Sequence, residues 1–232
     1  MPTETLYQRT ADVYDVRHSS PTTERVRILE KALIRKYARG KTLDVGCGTG
    51  YHLDLVKDII GLDPSKEMLE KAGKKGKHLV LGKGEKIPFP DKSFDTVLCL
   101  FSVLNVCDAE KTVQEIKRVL RPGGIAIVSV TSVWDHTNIS FWKKRRIDPE
   151  RFRVKNFRVS GERAKLRLFT KRDFLGLFPG FKLLKFDGIY SIVKPRWNNF
   201  RGFSVWEKFL LGVERLFPKD YGCMYFGVFR KD

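Results

Sequence analysis

Three glycines at alternate positions follow an aspartate in the stretch LDVGCGTGYHL, residues 43–53. Asp44 precedes Gly46, Gly48 and Gly50, and a glycine inside a helix or strand costs roughly 0.5 to 1 kcal/mol relative to alanine. The residues before them are apolar and β-branched, as in a buried strand, and those after them are compatible with a helix. The glycines therefore predict a strand-to-helix turn where the backbone approaches a ligand or a packed neighbour.

Asp44 limits which ligand this turn can hold. The spacing GxGxG differs from the GxGxxG of dinucleotide-binding turns, and a carboxylate at the end of the strand would repel a pyrophosphate. An ammonium group would be attracted, which favours S-adenosylmethionine, a nucleoside with an amino-acid end and no phosphate. A second acid is then expected about 20 residues later to hold the ribose hydroxyls. Asp63 lies at this distance; Pro64 begins the next predicted helix, and Met68 either covers an adenine face or belongs to the core.

The composition suits one domain over residues 1–232, with 42% hydrophobic residues. No apolar run approaches the length of a membrane span, and the first residues do not resemble a secretory signal. The four cysteines form no CxxC pair and no metal-like spacing with the four histidines. We therefore expect a soluble cytoplasmic protein without a bound metal, whose oligomeric state stays open.

The positive charge is concentrated in one segment. The chain has a formal charge of +18, and residues 143–172 combine 13 Lys or Arg with 3 acidic residues. Such a segment predicts an anionic partner such as RNA or an acidic lipid surface, or else a solvated face. Aromatic residues that could stack on bases lie within or beside it: Phe141, Trp142, Phe152, Phe157 and Phe169.

Strands and helices are predicted to alternate through most of the chain, which indicates βαβ units and a parallel sheet. An N-terminal helical cap (1–40) precedes them, and substrate-side insertions are expected at about 133–170 and 195–220. The predicted strands lie near 42–46, 58–62, 78–82, 94–100 and 124–131, then within FKLLKFDGIYSIV and GCMYFGVFRK. The predicted helices lie near 50–57, 65–73, 108–120 and 204–216, and within FTKRDFLGLF.

Four ordered motifs carry a family resemblance: LDVGCGTG, GLDPSKEML, GEKIPFPDKSFDTVLCLFSVLNV and EIKRVLRPGGIAIVSV. From about Tyr7 to Ile189 the chain resembles the class I S-adenosylmethionine-dependent methyltransferases. The similarity is to the type 11 branch, which includes quinone-biosynthesis and tRNA wobble-uridine methyltransferases. This resemblance implies an α/β, Rossmann-like, doubly wound sheet of seven strands in the order 3-2-1-4-5-7-6, with the last strand antiparallel and helices on both faces.

The resemblance also implies a set of cofactor-binding residues. Relatives have an aspartate that accepts from the adenine amino group where this chain has Lys83, which leaves Gly84 and Glu85 to present backbone groups or a carboxylate. The expected cofactor-binding residues are Asp44, Gly46, Cys47, Gly48 and Gly50 for the methionine portion, Asp63 for the ribose, Pro64, Met68, Gly84 and Glu85 near the adenine, and Cys99, Leu100 and Phe101 as the floor.

The catalytic residues are less defined. Methyl transfer from a sulfonium needs positioning and desolvation more than a base. Asn105 lies where relatives often carry a histidine, and Tyr14 belongs to an A-x-x-Y-D element that closes over the cofactor in relatives. Both are candidates, with His18 and His136 further away, whereas His52 is expected at the surface or in packing.

Three functions stay open on the sequence. The basic segment 143–172 favours an RNA acceptor, for instance tRNA. The apolar stretch FSVWEKFLLGVERLF favours a small or lipid- or quinone-like acceptor, with this stretch as a lid. The departures at Lys83 and Asn105 leave room for a non-catalytic cofactor-binding or RNA-binding partner protein.

Overall fold

The computed structural model describes residues 14–15, 21–74, 78–134, 153–159, 162–189 and 218–232. Seven strands form one sheet in the order β3-β2-β1-β4-β5-β9-β8, and β6 and β7 form a separate antiparallel pair. The strands are β1 Thr42–Val45, β2 Ile59–Asp63, β3 His78–Leu81, β4 Phe94–Cys99, β5 Leu120–Thr131, β6 Val154–Val159, β7 Glu162–Arg167, β8 Phe181–Ile189 and β9 Met224–Lys231.

The sheet has the predicted topology. Strands β1 to β5 pair in parallel, while β9 runs antiparallel to both β5 and β8. Counting only the strands of the main sheet, β8 is the sixth and β9 the seventh, so the order is 3-2-1-4-5-7-6 with the last strand antiparallel. The fold prediction is confirmed.

In the described ranges, the helices that flank the sheet are α1 Pro21–Tyr37, α2 Lys66–Gly73, α3 Ala109–Val119 and α4 Lys171–Gly176. Each of the last three begins at a residue whose side chain accepts a backbone N–H of the first turn, which satisfies donors that the helix leaves free. Ser65 caps α2, Asp108 caps α3, and Thr170 caps α4 in a reciprocal pair with Asp173.

Two apolar clusters lie on opposite faces of the sheet. One contains Ile116 of α3 and Phe174 of α4, together with Leu43 and Val45 of β1. The other contains residues of α1 and α2. Because successive side chains of a strand point to opposite faces, Asp44 lies on the face covered by α1.

Two local predictions differ from the structure, and one element was not predicted. Residues 50–57 form no α-helix but only a 3-10 turn, Leu53–Leu55, because the chain has few residues in which to pass from the glycine turn into β2. Strand β5 begins at Leu120, the first residue of LRPGG, and not near residue 124, and its register against β4 shifts. The hairpin of β6 and β7 was not predicted, since charged residues interrupt its apolar alternation.

Strands β8 and β9 meet at a close backbone crossing. A Cβ on Gly188 would overlap the carbonyl of Lys219, and a Cβ on Gly222 would lie 2.9 Å from the Cα of Gly188. The amide of Cys223 donates to the carbonyl of Ile189 at 2.6 Å. The end of β8 and the residues just before β9 are therefore in direct backbone contact. The predicted helix 204–216, which falls between these strands in the sequence, lies outside the described residues. In the described part of the chain, no helix has the length and apolarity to cross a membrane.

Candidate cofactor site

The glycine turn connects β1 to the 3-10 turn, and all three of its glycines have positive φ. A Cβ on Gly46 would overlap Val103, and one on Gly50 would lie 2.8 Å from Leu53 Cδ1. A Cβ on Gly48 would meet nothing within 4 Å, because this residue faces a cavity. The turn therefore needs two glycines for packing and conformation, and a third at the cavity wall for its φ of +53°.

Asp63 holds this turn from the end of β2. Its Oδ2 accepts from the amide of Gly48 at 2.8 Å and its Oδ1 from the amide of Ser65 at 2.9 Å. Burial raises the pKa of Asp63, and these two hydrogen bonds oppose the rise. Each carboxylate oxygen has two lone pairs, so both oxygens keep capacity for a further donor from the cavity.

The turn opens into a cavity of about 270 Å³. It lies at the carboxyl ends of the parallel strands, where open α/β sheets bind their ligands. Its lining residues are Tyr14, Val45, Gly46, Gly48, Asp63, Pro64, Met68, Lys83, Gly84, Glu85, Leu100, Phe101, Ser102, Val103, Val106 and Cys107. We call it the main cavity.

A smaller cavity of about 40 Å³ adjoins the main one and shares five of its residues. The residues that it adds are mostly polar or charged: Arg27, Glu30, Asp44, Cys47, Thr49, Tyr51 and His52. The guanidinium of Arg27 lies 3.9 Å from the centre of the Tyr51 ring, a cation–π contact. We call this the polar cavity.

Three of the expected site residues lie elsewhere. Gly50 lines neither cavity, since it packs against Leu53. Cys99 is fully buried in an apolar cluster. Asn105 is also buried and lines neither cavity, and its side chain joins the backbone of Thr131 and Arg167. Tyr14, the other catalytic candidate, lines both cavities.

Asp44 is the most unusual group in the polar cavity. It is 1% exposed, and among the described residues its Oδ2 has no hydrogen-bond partner. Its pKa is raised to about 7, mainly by burial; the charge of His52 opposes this rise, and the charges of Glu30 and Asp63 add to it. A buried carboxylate without a partner is costly, so this atom is suited to receive a donor from a ligand.

His52 and Glu30 form a buried pair next to Asp44, with His52 Nε2 and Glu30 Oε2 3.1 Å apart. Burial lowers the pKa of His52, but the hydrogen bond and charge of Glu30 outweigh it, and the pKa is raised overall. Glu30 was not among the predicted site residues, although its position in the sequence indicates that it is buried. It lies four residues from Val26 and from Ile34, on the apolar face of α1.

Lys83, Gly84 and Glu85 line the main cavity together, near Val106 and Cys107. A Cβ on Gly84 would lie 2.9 Å from Thr112 Cγ2, so this position needs glycine. The carboxylate of Glu85 accepts from the amide of Asp108 at 3.0 Å. The cavity wall at Lys83 therefore carries both a cation and an anion.

The basic segment is only partly described. Residues 135–152 and 160–161 lie outside the described residues, as do the side chains of 155–159 and 162–164, and with them the aromatic candidates Phe141, Trp142, Phe152 and Phe157. His18 and His136 also fall outside. Phe169 is fully buried in the core, so it offers no stacking surface to a base.

The strand order, the glycine turn and the cavity at the strand ends define a class I S-adenosylmethionine-dependent methyltransferase fold. Residues 43–128 match the family described as methyltransferase domain. The family uses S-adenosylmethionine as co-substrate.

Several curated relatives match about half of the chain. An uncharacterized protein of Methanocaldococcus jannaschii is 36% identical over 56% of this chain and 51% of its own length. The demethylmenaquinone methyltransferase of Staphylococcus haemolyticus is 34% identical over 55% of this chain and 60% of its own. The chain thus spans about half the length of several curated relatives that it matches.

The fold of the whole chain has solved counterparts. A crystal structure of an S-adenosylmethionine-dependent methyltransferase from Thermotoga maritima superposes with a TM-score of 0.65, at 21% identity, over 99% of both chains. At this identity the likeness supports the fold.

Proposed function

We propose that the chain transfers a methyl group from S-adenosylmethionine, bound across the main and polar cavities, to a small-molecule acceptor. The observation that carries the cofactor site is the unpartnered Oδ2 of buried Asp44. An ammonium group from a ligand supplies a positive charge and N–H donors to this atom, which a phosphate cannot do.

The polar cavity suits the zwitterionic end of the cofactor. Asp44 and Arg27 line it with opposite charges, so the first pairs with an ammonium and the second with a carboxylate. Arg27 is an addition to the expected set, and its stacking on Tyr51 limits the orientations of the guanidinium. Its position on α1 connects the N-terminal helix to cofactor binding.

The main cavity suits the nucleoside. Asp63 faces it with the lone pairs that its two backbone contacts leave, and these can accept from the ribose hydroxyls. Met68 and Pro64 provide apolar surface for the base, and Gly84 and Glu85 provide polar groups. Lys83 offers a donor where relatives present an acceptor, so recognition of the adenine amino group falls to Glu85 or to backbone carbonyls.

Catalysis in this site relies on the positioning of the acceptor relative to the methyl group. The bound sulfonium supplies an already activated methyl group. Tyr14, Leu100 and Phe101 line both cavities at their junction and form an apolar wall with one hydroxyl, which orients an acceptor and excludes water. Asn105 acts at a distance, since it holds the end of β5 against the hairpin of β6 and β7.

The small-molecule acceptor is supported by the relative from Staphylococcus haemolyticus, which is named for a quinone precursor. This support is stronger than that for RNA. One observation still supports the RNA alternative, namely the basic segment 143–172. Because Phe169 is buried, one of the five aromatic residues proposed to stack on bases is not available for stacking. As a proposal for the architecture, residues 1–232 form one domain in which the cap 1–40 and the insertions 133–170 and 195–220 contact the acceptor.

The test is a comparison of acceptors. Pure protein is first titrated with S-adenosylhomocysteine by calorimetry. It is then incubated with labelled S-adenosylmethionine and either total RNA or a lipid and quinone extract, each from cells lacking the protein. Label in the extract alone supports the proposal. Label in RNA alone would reverse the choice of acceptor, and no binding at millimolar ligand would reject the cofactor site.

A further inference from the structure

Glu30 is a fully buried acid on α1 that joins several parts of the cofactor site. Glutamate is rarely buried to this extent unless its oxygens are paired. Its Oε1 accepts from the hydroxyl of Ser129 at 2.6 Å and from the amide of Phe101 at 3.1 Å. Its Oε2 contacts His52. One carboxylate thus links α1 to β5, to the turn after β4 and to the segment after the glycine turn.

The turn after β4 needs such support. Phe101 and Ser102 have φ values of +54° and +70°, a conformation that residues other than glycine rarely adopt and that the surrounding structure must hold in place. Both residues line the main cavity. The amide of Phe101 donates to Glu30 and also to Ser129 Oγ at 2.7 Å, whose own hydroxyl donates to Glu30. The carboxylate is the final acceptor of this small network.

The contact with His52 holds a second lining residue of the polar cavity. His52 follows the glycine turn and lines the polar cavity beside Asp44. The groups that act on His52 electrostatically are Glu30, Asp44 and Arg27. Because Glu30 pairs with His52, its charge does not compete for Asp44, whose Oδ2 has no hydrogen-bond partner among the described residues and is available for a ligand.

We propose that Glu30 is a positioning residue for cofactor binding, which holds the turn at Phe101 and the side chain of His52, two parts of the lining of the polar cavity. The inference rests on the proposed cofactor site. It assigns to α1 a role beyond covering the sheet, because a carboxylate of this helix sets the shape of a cavity formed by other elements.

The conservative variant Glu30→Gln separates the positioning role of Glu30 from the effect of its charge. In Glu30→Gln the side-chain oxygen can still accept from Phe101 and Ser129, while the amide nitrogen faces His52, which can accept its proton when neutral. In Glu30→Ala both contacts are lost. Ile34→Ala is the matched control, because Ile34 lies one turn further along the same buried face of α1 and lines neither cavity.

The experiment measures the dissociation constant of S-adenosylhomocysteine by calorimetry at pH 8, the melting temperature without ligand, and the titration of His52 by NMR. We expect Glu30→Ala to bind at least about tenfold more weakly, Glu30→Gln to stay within about threefold of wild type, and Ile34→Ala to lose stability but not affinity. The midpoint of His52 should fall in Glu30→Gln, since the anion that raises it is gone.

Several results would overturn the inference. A folded Glu30→Ala with wild-type affinity, equal losses in the Gln and Ala variants, an equal loss in Ile34→Ala, or an unchanged His52 midpoint would each do so. If Glu30→Ala does not fold, Glu30→Met fills the same space without acceptors and takes its place in the comparison. Absence of binding by the wild-type chain rejects the proposed cofactor site, whereas wild-type binding with no effect of these variants rejects only the role of Glu30.

Discussion

Asp44→Asn should make the protein without ligand more stable at pH 8 while removing its affinity for the cofactor. In the folded state the pKa of Asp44 is about 7, against 3.8 for an exposed aspartate. The difference of about 3 pKa units costs about 4 kcal/mol of folding free energy above pH 7, at about 1.4 kcal/mol per unit. Asparagine avoids this cost but leaves its own amide without a partner, a penalty of about 1 to 3 kcal/mol.

The pH dependence gives the sharper test. Because the folded pKa lies above the unfolded one, the folded state keeps a proton that the unfolded state releases, and stability falls as pH rises from about 4 to 7. At pH 5 the cost is below about 2 kcal/mol, so the advantage of Asp44→Asn should be about 2 to 3 kcal/mol greater at pH 8 than at pH 5. For a chain of this size that equals roughly 5 to 10 °C in melting temperature.

The assay is thermal or urea unfolding of both proteins at pH 5 and pH 8 without ligand, followed by calorimetry with S-adenosylhomocysteine. Asp58→Asn, at an exposed aspartate next to β2, is the control for the chemical change alone. An advantage that does not grow between pH 5 and pH 8 would refute the buried-charge argument. Wild-type affinity in Asp44→Asn would refute the pairing with an ammonium group. Wild-type affinity should also fall about tenfold per pH unit below 7, where Asp44 must lose a proton to bind.

Three further predictions concern the cavities and the acceptor. Asp63→Ala should weaken S-adenosylhomocysteine binding by about 1.5 to 3 kcal/mol, as for hydrogen bonds to a charged group, and unchanged affinity in calorimetry would place the ribose elsewhere. Gly48→Val should fold, because its Cβ meets no atom within 4 Å, but abolish binding, since the side chain enters the cavity at a φ of +53°; circular dichroism and calorimetry test the two parts. If RNA is the acceptor, replacing the four cations of 143–146 with serine should reduce RNA labelling and its salt dependence at constant cofactor affinity. If a small molecule is the acceptor, labelling of the extract should be unaffected.

The alternation of strands and helices could be predicted because short apolar β-branched runs alternate with helical segments. The strand order and much of the cavity lining followed only from the family resemblance carried by the four ordered motifs. Gly46, Gly48 and Asp63 could be placed from their spacing alone. Gly50 and Cys99 could not, because spacing places a residue near a turn but does not tell whether it faces the ligand or the next layer of packing.

Glu30 and Arg27 were missed for a different reason. They lie on a helix that precedes the sheet in the chain, and which strand ends that helix covers is decided by tertiary packing. A glutamate within an apolar helix face indicates a buried partner but does not identify it. The partners Phe101, Ser129 and His52 lie between 22 and 99 residues away in sequence.

The close crossing of Gly188 and Gly222 has a consequence for how this protein can diverge. Because the backbone leaves β8 and enters β9 at one fixed point, the ends of the intervening chain stay together whatever its length. The entropy of closing such a loop changes only slowly with the number of residues in it. Residues 190–217 can therefore be shortened, lengthened or exchanged between homologues at little cost to the sheet, so descendants of one ancestor could acquire new acceptors while keeping the cofactor site. A chimera that carries this segment from another methyltransferase, joined at Ile189 and Pro218, should keep its melting temperature and its affinity for S-adenosylhomocysteine.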